Sequence, residues 1–539
     1  MNTPHSAMSG SILMRGLGLV LAAGSLLTTG CVTGPDYERP VSDLPATWAT
    51  TPEGGANAEP AAVSRWWELL NDPVLTQLVA DAAAGNLDLQ LAEARLREAR
   101  AARGIAASTL MPTLGVSGSY KLEGSPDTTP DAGSPIGVGV SAGPGGLSRS
   151  LTYRGNNATV TRTVGATGAN TSLSLNPSAE APDRTQDMFM VGFDAGWELD
   201  LFGGNKRAVE AAEADIDAAE ERLNAVMVSL AAEVALNYID LREAQSRLDI
   251  TQQNIAAQEQ SVRLTRARFD AGLSSELDTI RASSLLATTQ SQLPLLKAGV
   301  QTAIHRLGVL AGETPGAMQS TLEVQGAIPV APASVPVGLP SELLLRRPDI
   351  RTAERELAAA TARIGVAVAD LYPKFSLTGS FTGREGDLGS LLSSAGRAWS
   401  IGPGVSWPIF DGGRIRANIE VQNTREDQAA LVYKQVILYA LEEVENGLVG
   451  FAQEQVRRES LAAAVESNRR SVRIANERYV QGLEDFLSVL NAQQQLFQSE
   501  DLLAQSQSLV LTNLVSLYKA LGGGWEETPV EQHQASANS

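Results

Sequence analysis

Arg268-Phe-Asp-Ala-Gly-Leu273 returns 210 residues later as Arg478-Tyr-Val-Gln-Gly-Leu483. The same shift carries Trp197 onto Trp407 and Leu307…Gly312 onto Leu517…Gly522. Upstream, Glu93-Ala-Arg-Leu96…Leu110-Met-Pro112 returns as Glu354-Arg-Glu-Leu357…Leu371-Tyr-Pro373 at a shift of 261. Several motifs at a common offset mean that one architectural unit is written twice in tandem. The two shifts differ by 51, so the first copy carries that many extra residues between Pro112 and Trp197. The segment Glu123–Asp187 holds them. It is dominated by Gly, Ser, Thr, Pro and Asn, and with few large apolar residues it reads as a long exposed loop.

Each copy reads helix, strand, strand, long helix, shorter helix. In the first copy Leu114, Val116, Tyr120 and Leu122 alternate with small polar residues, as do Phe189, Val191, Phe193, Trp197 and Leu199. These predict strands at about 114–122 and 189–199, and the second copy predicts 375–383 and 399–409. After a Gly pair (Gly203-Gly204, Gly412-Gly413) a helical pattern begins. Ile216, Ala219, Leu223, Val226, Leu230, Val234, Tyr238 and Leu241 follow steps of three and four, and Leu248, Ile255, Val262 and Phe269 continue at sevens. The predicted long helices, 205–270 and 414–480, would each be about 100 Å long. A sustained seven-residue repeat makes a left-handed coiled coil. Gly272 and Gly482 supply the turns into return helices at about 274–311 and 484–521.

Composition removes other classes. The 539 residues carry a net charge of −19, three His and one Cys. That charge argues against nucleic acid, whose phosphates need clustered Lys and Arg, and one Cys builds neither an intrachain disulfide nor a Cys-based zinc site. His5 and His533 lie near the ends, leaving His305 alone in the body. There is no H-E-x-x-H, G-x-S-x-G, P-loop or dinucleotide fingerprint, so an enzyme, a metal and a small-molecule cofactor are not expected.

The N-terminus reads as an export signal, residues 1–30. Arg15 precedes the apolar run Gly16–Leu27, too short to span a bilayer. Leu27-Thr-Thr-Gly-Cys31 follows, and it looks like a lipoprotein cleavage box with Thr28 where Leu is usual. Cys31 is therefore the expected acylation site, its acyl and diacylglycerol lipid the one covalent group. No later run is apolar and long enough for a membrane helix, so any crossing falls to strands. Four strands cannot close a barrel, and an open sheet cannot face lipid. Several chains must pool them.

Cys31-Val-Thr-Gly-Pro-Asp-Tyr-Glu-Arg-Pro40, Trp66-Trp67 with Asp72-Pro73, Trp197-Glu-Leu-Asp-Leu-Phe-Gly203, Leu345-Arg-Arg-Pro-Asp-Ile-Arg351 and Arg478-Tyr479…Gly482 together resemble the TolC family of outer-membrane efflux channels, in its lipoprotein (NodT- and OprM-like) branch. The resemblance implies an α+β membrane protein and a homotrimer, with four strands per chain in a twelve-stranded β-barrel and long hairpins in a periplasmic α-barrel. It divides the chain into a signal peptide (1–30), a lipidated segment (31–65), a first repeat (66–312), a linker (313–345), a second repeat (346–524) and a flexible tail (525–539). The linker and lipidated segment would form a small mixed region at the helix waist. The implied function is passive. An inner-membrane pump drives small molecules, and a periplasmic adaptor links that pump to the tunnel through the outer membrane. By resemblance, Gly272, Leu273, Gly482 and Leu483 are adaptor-docking tips, Leu487 falls at an apolar periplasmic gate, and Arg478 and Tyr479 match positions that latch the helices shut. Asn491 stands where the family's acidic constriction residue lies. The competing readings are a periplasmic adaptor and a structural coiled-coil lipoprotein, but an adaptor would carry one hairpin between halves of a small β domain, not two complete copies.

Overall fold

The computed structural model describes residues 32–525 except 42–43, 58, 60–63, 125–135, 144–145, 155–157, 166–167, 176–184, 333, 386 and 388–395. The signal segment, Cys31 and residues 526–539 lie outside the described residues. The chain divides into two compact units, one comprising residues up to 108, 201–372 and 408 onward, the other 109–200 and 373–407.

The first unit is helical. Its main elements are α1 (Pro73–Gly85), α2 (Leu87–Ser108), α3 (Gly204–Asp270), α4 (Glu276–Gln290), α5 (Leu293–Leu310), α6 (Pro348–Ala369), α7 (Arg414–Val480) and α8 (Phe486–Ala520). The repeat is reproduced to the residue. A shift of 261 maps α2 onto α6, and a shift of 210 maps α3 onto α7 and the limits of α4–α5 onto α8. The first return helix departs from expectation, being two helices rather than one. Pro294, whose counterpart is Ala504, lacks the N–H that the helical ladder needs and sits in the first turn of α5 instead.

Local chemistry sets the helix starts. Asp72 accepts from the N–H groups of Val74 and Leu75 and precedes Pro73, an N-cap followed by proline. Its other carboxylate oxygen accepts from the Tyr238 hydroxyl at 2.6 Å, which in turn accepts from Arg242 at 3.0 Å. Trp66, 1% exposed, stacks on Tyr518 at 5.5 Å and meets Trp67 edge-on. In the Leu345–Arg351 motif, buried Arg347 grips Asp349 with two bonds, Glu443 at 2.7 Å and the Ala520 carbonyl at 2.8 Å. The linker and the N-terminal segment do meet, Ala56–Asn57 pairing in parallel with Val335–Pro336 and Trp48 donating to the Gly338 carbonyl.

The second unit is all strand: β1 (Thr113–Gly124), β2 (Ile136–Gly143), β3 (Gly146–Arg154), β4 (Ala158–Gly165), β5 (Gly168–Leu175), β6 (Thr185–Leu199), β7 (Lys374–Glu385) and β8 (Arg397–Ser406). One antiparallel sheet runs β8-β7-β6-β1. Its register aligns Val116, Phe193, Phe381 and Trp399 across all four strands, so the predicted apolar positions share one face. That face is exposed: Leu114 75%, Trp399 75%, Ile401 69%. The other face carries Ser117, Asp194, Ser380 and Ser400, with Ser380 and Ser400 hydrogen-bonded at 2.9 Å. Alternation with period two on a pleated strand produces this division.

The expected loop at 123–187 is corrected. It contains a second four-stranded antiparallel sheet, the meander β2-β3-β4-β5. Gly-, Ser- and Thr-rich composition hid short runs in which every second residue is apolar, and small residues are compatible with strands wherever a cross-strand partner satisfies the backbone.

Candidate functional site

The two hairpin ends of the helical unit hold the residues expected to act. At the end of α3, Gly272 (φ 71°) donates to the Phe269 carbonyl and Leu273 to that of Arg268, both at 2.8 Å. At the end of α7, Gly482 (φ 75°) donates to Tyr479 at 3.0 Å and Leu483 to Arg478 at 2.9 Å. Both are Schellman closures, which require a left-handed residue. A Cβ at either glycine would meet nothing within 4 Å, so the demand for glycine there is purely conformational. Ser275 and Asp485 cap the return helices. Leu273 and Leu483 are left 67% and 63% exposed.

The two ends differ in what they bury. Tyr479 is 3% exposed, whereas its counterpart Phe269 is 41% exposed. Tyr479 packs at 5.3 Å against Phe486 in a small apolar cluster with Ala282 and Val489, and burial pushes its phenol above the usual range. Arg268 from the other hairpin lies over the Tyr479 ring, 4.8 Å from its centroid, and donates to the Val480 carbonyl at 3.3 Å. Arg478 pairs with Glu484 in its own turn at 3.1 Å. At the hairpin ends, Arg268 is a cation that reaches from one hairpin to the other. The sequence signal for it was present, because the repeat aligns Arg268 with Arg478.

Leu487 is 40% exposed, and Asn491 is exposed one turn further along α8. They share one face, while Phe486, Val489 and Gln493 turn inward. No carboxylate stands at 491. Of the two acids in the turn, Glu484 is engaged by Arg478 and by the Ser488 hydroxyl, and Asp485 caps α8.

Beyond the tips the helix seam is polar. On α3 the buried positions are Thr251, Asn254, Gln258, Ser261 and Thr265. The expected stripe of Ile255, Val262 and Phe269 is partly or fully exposed. Gln493 of α8 donates to Ser261 at 2.9 Å, Asn254 to Glu500, and Arg247 to Asp501 at 2.6 Å. A cleft of about 220 Å³ lies here among Asn254, Gln258, Val472, Asn476 and Gln493. Gln258, 2% exposed, turns an amide into it that has no hydrogen-bond partner among the described residues.

A family model described as "Outer membrane efflux protein" matches residues 78–313 and 339–523. Nodulation protein T of Rhizobium leguminosarum bv. trifolii is 32% identical over 507 residues, covering 93% of this chain and 96% of that protein. The solvent efflux pump outer membrane protein SrpC of Pseudomonas putida is 30% identical over 507 residues, covering 93% and 97%. The solved outer-membrane channel OprN superposes with a TM-score of 0.75 at 35% identity, covering 92% of this chain and all of that one.

Proposed function

The chain belongs to the outer membrane efflux protein family, and from that premise we propose that three copies assemble into a passive conduit for small molecules across the periplasm and outer membrane. The observation that carries this is the sheet β8-β7-β6-β1. It exposes one apolar face and leaves β1 and β8 as unpaired edges. Strands of 10 to 15 residues meet or exceed the roughly 9–11 that a tilted membrane strand needs. Open edges are forbidden in hydrocarbon, so β1 of one copy pairs with β8 of the next, and three copies close a twelve-stranded barrel. On α7, Leu431 and Leu438, Val432 and Tyr439, and Val449 and Val456 are exposed apolar pairs spaced seven apart. They are the seams such neighbouring helices would fill.

An inner-membrane pump supplies the energy and a periplasmic adaptor docks at Leu273 and Leu483; relatives named as solvent and toluene efflux pump outer membrane proteins support that setting. Cys31 carries the lipid. The segment following it is tied down: Thr33 donates to the Phe202 carbonyl through both its amide and hydroxyl, and Arg207 grips Asp36 at 2.6 Å.

The experiment is conductance of the purified protein in planar bilayers. A trimeric channel is expected, closed at rest by a ring of Leu487. Leu487→Ser should raise closed-state conductance, and Asn491→Asp should add block by divalent cations. Absence of any channel overturns the proposal, and unchanged conductance in Leu487→Ser removes that residue from the gate.

A further inference from the structure

The meander β2–β5 has no counterpart in the second repeat, where β7 and β8 are separated by residues 386–396 only. Its strands pair with one another alone and make no extended contact with β1, β6, β7 or β8. The register sets Leu151, Arg162 and Thr171 side by side across β3, β4 and β5, with Val160 and Val164 two residues either side of Arg162. Leu151 is 50% and Val164 49% exposed, and Arg162 and Thr171 are exposed beside them. This is an uncovered apolar face with a cation in its middle.

Charge identifies what the face meets. The whole chain carries −19, yet residues 132–179 contain three Arg (149, 154, 162) and no Lys, Asp or Glu. Three copies of a face charged with one sign would repel one another. Hydrocarbon is also excluded: three of the four strands, at 8 residues, fall short of the roughly 9–11 needed to cross, and an Arg at mid-depth costs about 2–4 kcal/mol. Apolar side chains interleaved with arginines instead fit the boundary between headgroups and acyl chains, where the apolar groups dip inward and the guanidinium reaches phosphate. Chain connectivity puts the meander there. β1 leads into it and β6 leads out, from the strand ends opposite those joined to α2 and α3.

We propose that the β2–β5 sheet lies on the outer leaflet and binds phosphate-bearing lipid headgroups through Arg162, with Leu151, Val160 and Val164 dipping into the acyl boundary. This rests on the outer-membrane channel reading. The test uses full-length protein with Cys31→Ser and Thr171→Cys, labelled at 171 with an environment-sensitive fluorophore. It is reconstituted into vesicles of phosphatidylcholine alone or mixed with lipid A. A blue-shifted label, quenched by brominated acyl chains, is expected with lipid A only. Salt should reverse it, free inorganic phosphate should not, and Arg162→Ser should weaken the lipid A dependence about fivefold. A label that stays in water with lipid A overturns the proposal, as does competition by free phosphate. So does a label buried in both lipids and cross-linked between copies, which would make the occupant a second chain. Conductance of the same vesicles separates the two readings: protein that conducts with a wet label sinks only this inference, and protein that forms no channel sinks both.

Discussion

Two stretches of the single helix α3 use the same three-and-four spacing with opposite chemistry. Between Leu230 and Leu241 the buried positions are apolar: Ala231, Ala235, Tyr238, Ile239 and Leu241 are fully buried, packed with Ile304, Leu307, Leu514 and Phe451. Between Thr251 and Thr265 the buried positions are hydroxyls and amides. An apolar seam is held by area removed from water, about 1.5–3 kcal/mol per large side chain, and has no second arrangement of equal energy. A polar seam is held by bonds worth about 0.5–1.5 kcal/mol net, each of which water can replace. One continuous coil is thus fixed in its first half and exchangeable in the half that leads to the hairpin ends.

The largest effect that tests this contrast lies in the fixed half. Leu241→Ala should cost about 2–5 kcal/mol through lost burial and a residual cavity, read as a lowered thermal unfolding midpoint. Ser261→Ala, at the same spacing in the polar half, should cost no more than about 1 kcal/mol. Equal losses at the two sites would break the comparison.

A smaller effect of opposite sign is expected at Gln258. Its amide is buried without a partner among the described residues, and such a group costs about 1–3 kcal/mol. Gln258→Leu should raise the thermal midpoint and slow hydrogen exchange at 251–265. A variant less stable than the parent would mean that ordered water in the cleft already satisfies the amide and that the polar seam is as fixed as the apolar one.

Much of this was legible in the residues, and the reason is periodicity. The shift of 210 anticipated the limits of α3 and α7, and the shift of 261 the pairing of α2 with α6, because a duplicated unit must bury the same faces twice. The amphipathic strands were legible because a membrane face tolerates no interruption of its alternation. The polar seam was not: Leu248, Ile255, Val262 and Phe269 form the more conspicuous stripe, and only the neighbouring helices decide that the positions flanking it turn inward. The meander was hidden by its small residues. Arg268 carries no mark in the sequence beyond its place in the repeat, which it shares with Arg478.

That pair supplies the smallest and most selective test. Arg478 and Glu484 are 51% and 34% exposed, and an exposed ion pair contributes about 0–1 kcal/mol. Arg268 instead covers the ring of a buried tyrosine, an interaction worth about 0.5–2 kcal/mol, and it also donates across to the other hairpin. Arg268→Ala should therefore raise closed-state conductance in planar bilayers more than Arg478→Ala does, even though a simple reading of the repeat makes the two arginines equivalent. Arg268→Lys should restore only part of the closure, because an ammonium keeps the charge but loses the flat face that lies on Tyr479. If Arg478→Ala opened the channel further than Arg268→Ala, the hairpins would be held through contacts between copies rather than within each one, and the exchangeable half of the coil would answer to the assembly instead of to its own chain.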